Sequence, residues 1–303
     1  MKVPVGSDMS VGNHRVTVDR FLAEGGLAHV YLARLHPTGE VCVLKAVTTT
    51  TSEGMRSMQH EVQFMRLFTG HKNIVTFIDA EFRNGGGQHT FILMEYCPGG
   101  HCVDLMNQRL QNRLMEHEIL KIFGDACEGV ARMHYAQPAV IHRDIKVENL
   151  LVGANGDYKL CDFGSATPQI LPPRSANFSV SKTDLDALHE DIQRHTTIQY
   201  RAPEMCDVYA GRGIDEKVDI WALGVMLYKL MYYTTPFERG GSTSVTAIMN
   251  ARYDIPREPA FSPDIIALVR WCLLEDPRHR PTIYQLVADI SRMRGLPVPI
   301  ENI

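Results

Sequence analysis

The chain lacks any hydrophobic stretch long enough to cross a bilayer: its longest apolar run, 220–233, carries Lys229 and reads as a buried helix. The opening residues MKVPVGSDMS contain no apolar core of a secretory signal, so a soluble intracellular, cytoplasmic protein is expected. No C-x-x-C pair occurs among seven cysteines. An odd number at irregular spacing builds neither a disulfide framework nor a zinc ribbon, and points to reduced thiols. No run of one charge sign stands out, and 31 basic against 35 acidic residues leave a net charge of −4, which argues against nucleic acid as the main partner. There is no internal repeat.

What is present is ordinary globular material: 303 residues, 45% hydrophobic, enough for one large domain or two lobes around a cleft. Valines and aromatics alternate with polar residues over 16–22, 30–35 and 41–47, which predicts three successive antiparallel strands. Over 53–68 the period becomes helical, with Met58, Val62, Met65 and Phe68 on one face. Strands at 74–81 and 90–95 flank an NGGG turn at 84–87. After Pro98-Gly99-Gly100 helices dominate, at about 101–110, 116–136, 216–233, 263–274 and 281–294. The division falls near 95–100, giving lobes at 14–97 and 98–303 of a domain spanning 14–303. Residues 166–183, rich in Pro, Ser and Thr, read as a mobile loop.

A second shortage lies in the first hairpin. Against the glycine pattern G-x-G-x-x-G-x-V of a phosphate-cradling loop, positions one and three are Ala23 and Ala28, and only Gly25 and the closing Val30 conform. Backbone N–H groups, which alanine also has, contact phosphates; glycine adds close approach and freedom at positive φ. Gly25 and Gly26 sit together where the tip is expected, so the loop is altered but not disabled.

Further motifs follow in order. IHRDIKVENLL at 141–151 brings together Asp144, Lys146 and Asn149; DFG follows at Asp162, Phe163 and Gly164; APE follows at Ala202, Pro203 and Glu204. With Lys45 ending VLK on the third strand and Glu61 in the first helix, this order resembles the eukaryotic protein kinases over about 14–294. Glu53 is a rival to Glu61 but lies too early for the middle of the helix.

The resemblance implies a bilobal α+β fold, a small antiparallel sheet with one helix followed by a mostly helical lobe. It implies ATP and Mg²⁺: Lys45 holds the α- and β-phosphates, Glu61 holds Lys45, and Asn149 and Asp162 bind the metal. Asp144 orients the acceptor hydroxyl and takes its proton, Lys146 steadies the γ-phosphate, and Thr197 contacts both, in the serine/threonine pattern. The nucleotide falls to Leu22, Ala23, Glu24, Gly25, Gly26, Val30, Val43, Lys45, Met94, Glu95, Cys97, Asn149, Leu151 and Asp162. Val43 stands where most kinases carry alanine over the adenine, and Cys161 is expected at the back of the cleft. His142, Phe163 and Met65 are expected as packed core, and Glu204 with Arg280 as a buried ion pair.

AEGG followed by Leu27-Ala28, then CVLK, MNQRL, HRDIKVENLL, CDFGSAT and YRAPEM resemble the Numb-associated kinase family. That resemblance implies serine/threonine phosphorylation of endocytic adaptors and actin regulators, at endocytic or cortical actin sites. It also implies an additional helix after the activation segment, for which CDVYAGRGIDEK at 206–217 has room, bracing the segment without phosphorylation. Arg143 is the type of residue that pairs a phosphate on that segment, which argues the other way. A binding module of the same fold, a pseudokinase scaffold, is the alternative; retention of Lys45, Glu61, Asp144, Asn149 and Asp162 favours catalysis.

Overall fold

A computed structural model describes residues 2–26, 28–84, 87–175 and 180–302. Leu27, two glycines of the NGGG turn and residues 176–179 of the expected loop therefore lie outside the described residues.

The first half is a six-stranded sheet with one helix. Strands β1 (Asp8–Val11), β2 (His14–Gly25), β3 (Ala28–Leu35) and β4 (Val41–Thr49) precede helix α1 (Ser52–Phe68), and β5 (Phe77–Asn84) and β6 (Gln88–Glu95) complete it. All neighbours are antiparallel in the order β1-β2-β3-β4-β6-β5. Val16, Val18, Tyr31, Ala33, Cys42 and Leu44 alternate inward and form one apolar cluster on the sheet. The short β1 was not foreseen, and the strand expected from 74 starts at Phe77.

Helix α1 is capped by Thr51, whose side chain accepts the Gly54 N–H. Its buried face, Glu61, Val62, Phe64, Met65 and Phe68, carries one carboxylate among apolar residues. Val62, Met65 and Phe68 belong to the same core as Ile74, Phe163 and the helices that follow, so α1 is tied to both halves.

The second half contains α2 (Cys102–Gln108), α3 (Glu116–His134), the hairpin β7 (Leu150–Val152) and β8 (Tyr158–Leu160), α4 (Lys182–His195), α5 (Pro203–Cys206) and α6 (Lys217–Tyr232). The hairpin β9 (Glu238–Arg239) and β10 (Ser242–Thr243), then α7 (Val245–Met249), α8 (Pro263–Cys272) and α9 (Ile283–Arg294), follow. Helix α6 is buried nearly all round, as an apolar run without an amphipathic stripe requires. No helix among the described residues is long and apolar enough to cross a membrane.

One expectation is corrected. The additional helix does not follow the APE motif: the interval 206–217 holds only a 3₁₀ turn, Val208–Ala210, while α4 lies before the motif and replaces the end of the expected loop. Gly211 and Gly213, both at positive φ (72° and 81°), break any helix in the interval, and a side chain at Gly213 would run into Pro173. The signal for α4 was legible: Ser181 accepts the Asp184 N–H as an N-cap, and Leu185, Leu188 and Ile192 recur at helical spacing.

Candidate active site

The site grows from the loop 141–149. Its backbone is clamped from below by Asp219 of α6, a fully buried carboxylate that accepts the N–H groups of His142 (2.8 Å) and Arg143 (2.9 Å). An ionised carboxylate can only accept, so His134 Nε2, 2.9 Å from Asp219 Oδ2, donates the third bond. Burial raises the Asp219 carboxyl, but the His134 hydrogen bond, the nearby His134 and His142 and the backbone donor outweigh it and hold it below the usual carboxylate range.

On this clamped loop Asp144 is nearly saturated. Its Oδ1 accepts from Thr197 Oγ1 (2.7 Å) and Thr197 N (3.1 Å), and its Oδ2 from Lys146 Nζ (2.6 Å) and Asn149 Nδ2 (3.2 Å). Lys146 Nζ also donates to Thr197 Oγ1 at 2.8 Å. Asn149 Nδ2 donates again to the Asp144 carbonyl at 2.9 Å, which spends both amide hydrogens on Asp144 and leaves the Oδ1 oxygen for an ion.

Across the cleft, β4 and α1 bring Lys45 Nζ to 2.6 Å from Glu61 Oε1, with Glu61 buried. Burial pulls the Lys45 ammonium down, and the Glu61 and Asp162 carboxylates more than reverse it. Glu53 is exposed and pairs instead with Arg194 at 3.1 Å, so Glu61 is the partner. Asp162 sits at φ 66°, a left-handed backbone that turns its side chain onto the cleft while Phe163 goes into the core. Desolvation raises its carboxyl; Lys45, then His142, the Gly164 N–H and Lys146, bring it below the usual range.

Phe163 is buried between His142 (ring centroids 5.6 Å apart) and Phe68 (6.1 Å). Met65 is buried in the same core, but the aromatic neighbour that α1 supplies is Phe68. The Glu204–Arg280 pair is bidentate at 2.6 and 2.9 Å, fully buried, with further Arg280 bonds to the carbonyls of Lys217, Leu274 and Glu275. That saturation makes a buried pair tolerable.

The hairpin tip has Gly25 opposite Ala28 and Gly26 at φ 54°, so the glycine that needs left-handed freedom is present. Ala23 pairs with Val30, and Glu24 with His29. Val43 lies between Leu32 of β3 and Met94 of β6. Glu95 is held by Lys159 at 2.6 Å, and the buried Cys97 donates its thiol to the same carboxylate at 3.5 Å. Leu151 pairs with Lys159 on the β7–β8 hairpin, and Leu22 is half-buried at the register shift of β2 between Phe21 and Ala23. Cys161 is half-buried and donates to the Asn149 carbonyl at 3.4 Å; burial first, then Asp162, pushes its thiol well up.

A cavity of about 1020 Å³ gathers Lys45, Glu61, Asp144 and Asp162, and extends between α1 and α4 to Arg143 and His195. Leu22, Val43, Met94, Cys97 and Leu151 do not line it. A smaller one of about 380 Å³ opens beside Lys146 and Thr197, lined by Glu148, Tyr200 and Lys229, with Lys229 Nζ 2.6 Å from Glu148. The sequence reading missed Asp219 and the Glu148–Lys229 pair. Asp219 had a signal, a carboxylate standing directly before the longest apolar run.

A sheet with one helix, a helical half and this convergence of charged groups define a protein kinase, and the comparisons agree: a model described as "Protein kinase domain" matches residues 16–290. The chain belongs to the protein kinase family. Its similar curated proteins carry the names of actin-regulating and serine/threonine-protein kinases. It is 45% identical to Actin-regulating kinase 1 of Saccharomyces cerevisiae over 99% of this chain and 47% of that protein. It is 43% identical to Actin-regulating kinase PRK1 of the same yeast (98% and 36%), and 43% identical to serine/threonine-protein kinase ppk30 of Schizosaccharomyces pombe (100% and 31%). The chain thus spans from about a third to about half the length of these relatives.

Proposed function

We propose that the chain is catalytically competent and transfers the γ-phosphoryl group of ATP to serine or threonine side chains of protein substrates. The observation that carries this reading is the closed network of Asp144, Lys146, Asn149 and Thr197, facing the formed Lys45–Glu61 pair and Asp162. Phosphoryl transfer needs positioning and charge neutralisation more than covalent help, and these groups supply both.

Lys45, fixed by Glu61, holds the α- and β-phosphates. Asp144 accepts a hydrogen bond from the acceptor hydroxyl and takes its proton as the new P–O bond forms. Lys146, already turned toward Asp144, neutralises charge on the transferred group, and Thr197 sets the distance between the two. Asp162 and the Asn149 Oδ1 would hold Mg²⁺; bound there, the ion supplies positive charge to the phosphates. Among the described residues no group of three or more His, Cys, Asp or Glu side chains could hold a metal alone. The adenine would lie beneath Leu22 and Val30, against Val43, Met94 and Leu151, with the 95–97 backbone beside it.

Two of the relatives are named for actin regulation, which supports a reading in which the substrates lie among actin-regulating proteins; endocytic adaptors met at cortical sites in the cytoplasm are part of the same proposal. Transfer from labelled ATP to a degenerate serine/threonine peptide library tests the activity. Wild type should transfer and Asp162→Asn should lose transfer by at least about 10²-fold, the scale of one lost preorganised charge. A wild type no faster than Asp162→Asn would leave the pseudokinase scaffold as the reading.

A further inference from the structure

We propose that Lys159 of β8 is a positioning residue for the adenine: paired with Glu95 across the two lobes, it fixes the 95–97 backbone against the floor of the slot at Leu151. The proposal deepens the reading of this cleft as an ATP site and rests on it.

Lys159 stands directly opposite Leu151 on the β7–β8 hairpin. Directly opposed residues of an antiparallel pair present their side chains on one face, so the lysine lies beside the residue assigned to the adenine's underside. Its Nζ ends 2.6 Å from Oε1 of Glu95, the last residue of β6. Only 17% of the lysine side chain and 25% of the glutamate side chain is exposed, so salt and water screen this pair less than a surface pair. Glu95 is held from two more sides. The Cys97 thiol donates to Oε1 at 3.5 Å, and the Glu95 N–H donates to the Thr76 carbonyl at 2.9 Å. Burial raises the Glu95 carboxyl; the hydrogen bonds from Lys159 and Thr76, then the Lys159 charge and the Cys97 thiol, bring it below its usual range.

These contacts close a ring. Leu160, next to Lys159, donates its N–H to the Asn73 carbonyl at 2.9 Å and accepts the Val75 N–H at 3.0 Å. Val75 leads into Thr76, Thr76 holds Glu95, and Glu95 holds Lys159. The links of Leu160 to Asn73 and Val75 run through the backbone; the Lys159–Glu95 link depends on two charged side chains.

The place of the pair gives it leverage on the slot. Beyond Glu95 the chain returns to the hairpin at Gly99, whose N–H donates to the Val152 carbonyl at 3.1 Å, and at Gly100, whose carbonyl accepts the Val152 N–H at 2.9 Å. A side chain at Gly99 would stand 2.6 Å from Val152, so this second anchor is close. Residues 96–98 are therefore strung between two anchors on one hairpin, Lys159 of β8 and Val152 of β7. Without Lys159, Glu95 keeps a mostly buried charge with no other ion-pair partner among the described residues, and the span loses one anchor. The base then binds less well, while Lys45, Asp144 and Asp162 keep their own supports.

Two measurements are made on wild type, Lys159→Met, Lys159→Arg, Glu95→Gln and the Lys159→Met/Glu95→Gln double variant. One is the peptide-library assay, and the other is displacement of fluorescent mant-ADP by adenosine, which carries the base without phosphates and needs no turnover. Lys159→Met should raise the KM for ATP and the dissociation constant of adenosine by the same factor, about 5- to 20-fold, part of the scale of one charge-assisted hydrogen bond. Its kcat and peptide KM should stay within about two-fold of wild type. Lys159→Arg should recover most of the loss, and the double variant should bind no more weakly than Glu95→Gln, since one interaction is removed in both. If Lys159→Met proves too unstable to assay, Glu95→Gln must show the same paired rise.

A lysine that only held the fold together would lower the melting temperature and the active fraction with both constants unchanged, and that result would overturn the proposal. A rise for ATP without one for adenosine, or losses that multiply in the double variant, would do the same. Wild type separates the two levels. If it fails to bind mant-ADP, the ATP reading fails and this one with it; if it binds while Lys159→Met and Glu95→Gln keep its constants, this proposal alone fails.

Discussion

Replacing Asp219 with alanine tests the idea that a buried carboxylate, remote from any phosphate, sets the geometry of the catalytic loop. The substitution removes the acceptor of three hydrogen bonds, two of them from backbone N–H groups that have no other partner among the described residues. An orphaned buried donor costs about 1–3 kcal/mol, so the two backbone groups alone set a range of roughly 2–6 kcal/mol. Water admitted to the vacated space offsets part, and we expect a loss of about 3–5 kcal/mol, the scale for breaking a buried charged network.

Against a typical total of about 5–15 kcal/mol that is a large fraction, and at roughly 2–3 °C per kcal/mol the melting temperature should fall by about 6–15 °C. Asp219→Asn keeps one acceptor oxygen but turns an NH₂ toward the remaining donors, so it should lose a comparable or slightly smaller amount. Urea unfolding at neutral pH measures both. The Asp219 carboxyl is depressed in the folded state, so its contribution is present above the unfolded value of about 3.9 and is lost as pH falls through the folded one. The gap between wild type and Asp219→Asn should therefore narrow only in acid, below about pH 4. A loss under about 1 kcal/mol for Asp219→Ala, or a gap that closes near neutrality, would refute the reasoning.

Lys45→Met should reduce phosphoryl transfer by at least about 10²- to 10³-fold while shifting the melting temperature far less than Asp219→Ala does, because the work of Lys45 is done on phosphates. Undiminished transfer in a pure preparation would show that Lys45 has another role. At Cys161, the half-buried thiol with its raised pKa predicts slow labelling by an adenine-site electrophile and protection by Mg-ATP. Equal rates with and without saturating Mg-ATP, read by intact mass, would place the thiol outside the nucleotide cleft.

Local sequence determined most of the elements, because the patterns that specify them are local. The alternation in β2 to β4, the helical period of α1 and the apolar run of α6 each act within a few residues, and the elements expected from them fell within a few positions of the observed bounds. Where the extra helix was expected, analogy outweighed local chemistry: Ser181 and the spacing of Leu185, Leu188 and Ile192 were in plain view, as were Gly211 and Gly213. Motif order likewise named Lys45, Glu61, Asp144, Lys146, Asn149, Asp162 and Thr197, since the identity of an acid, a base or an amide is written in the chain.

Which atoms those side chains meet was decided only by tertiary structure. Asp219 and Asp191 are, in sequence, two aspartates among many; one is buried under the loop with three donors aimed at it, and the other faces Arg143 across a break of some fifty residues. No periodicity carries that information, because a charged side chain's partner is set by packing of distant elements and by the cost of leaving a buried donor or cation unpaired. The positive φ of Arg143 and Asp162 belongs to the same class: non-glycine residues that enter the left-handed region do so because surrounding contacts hold them there.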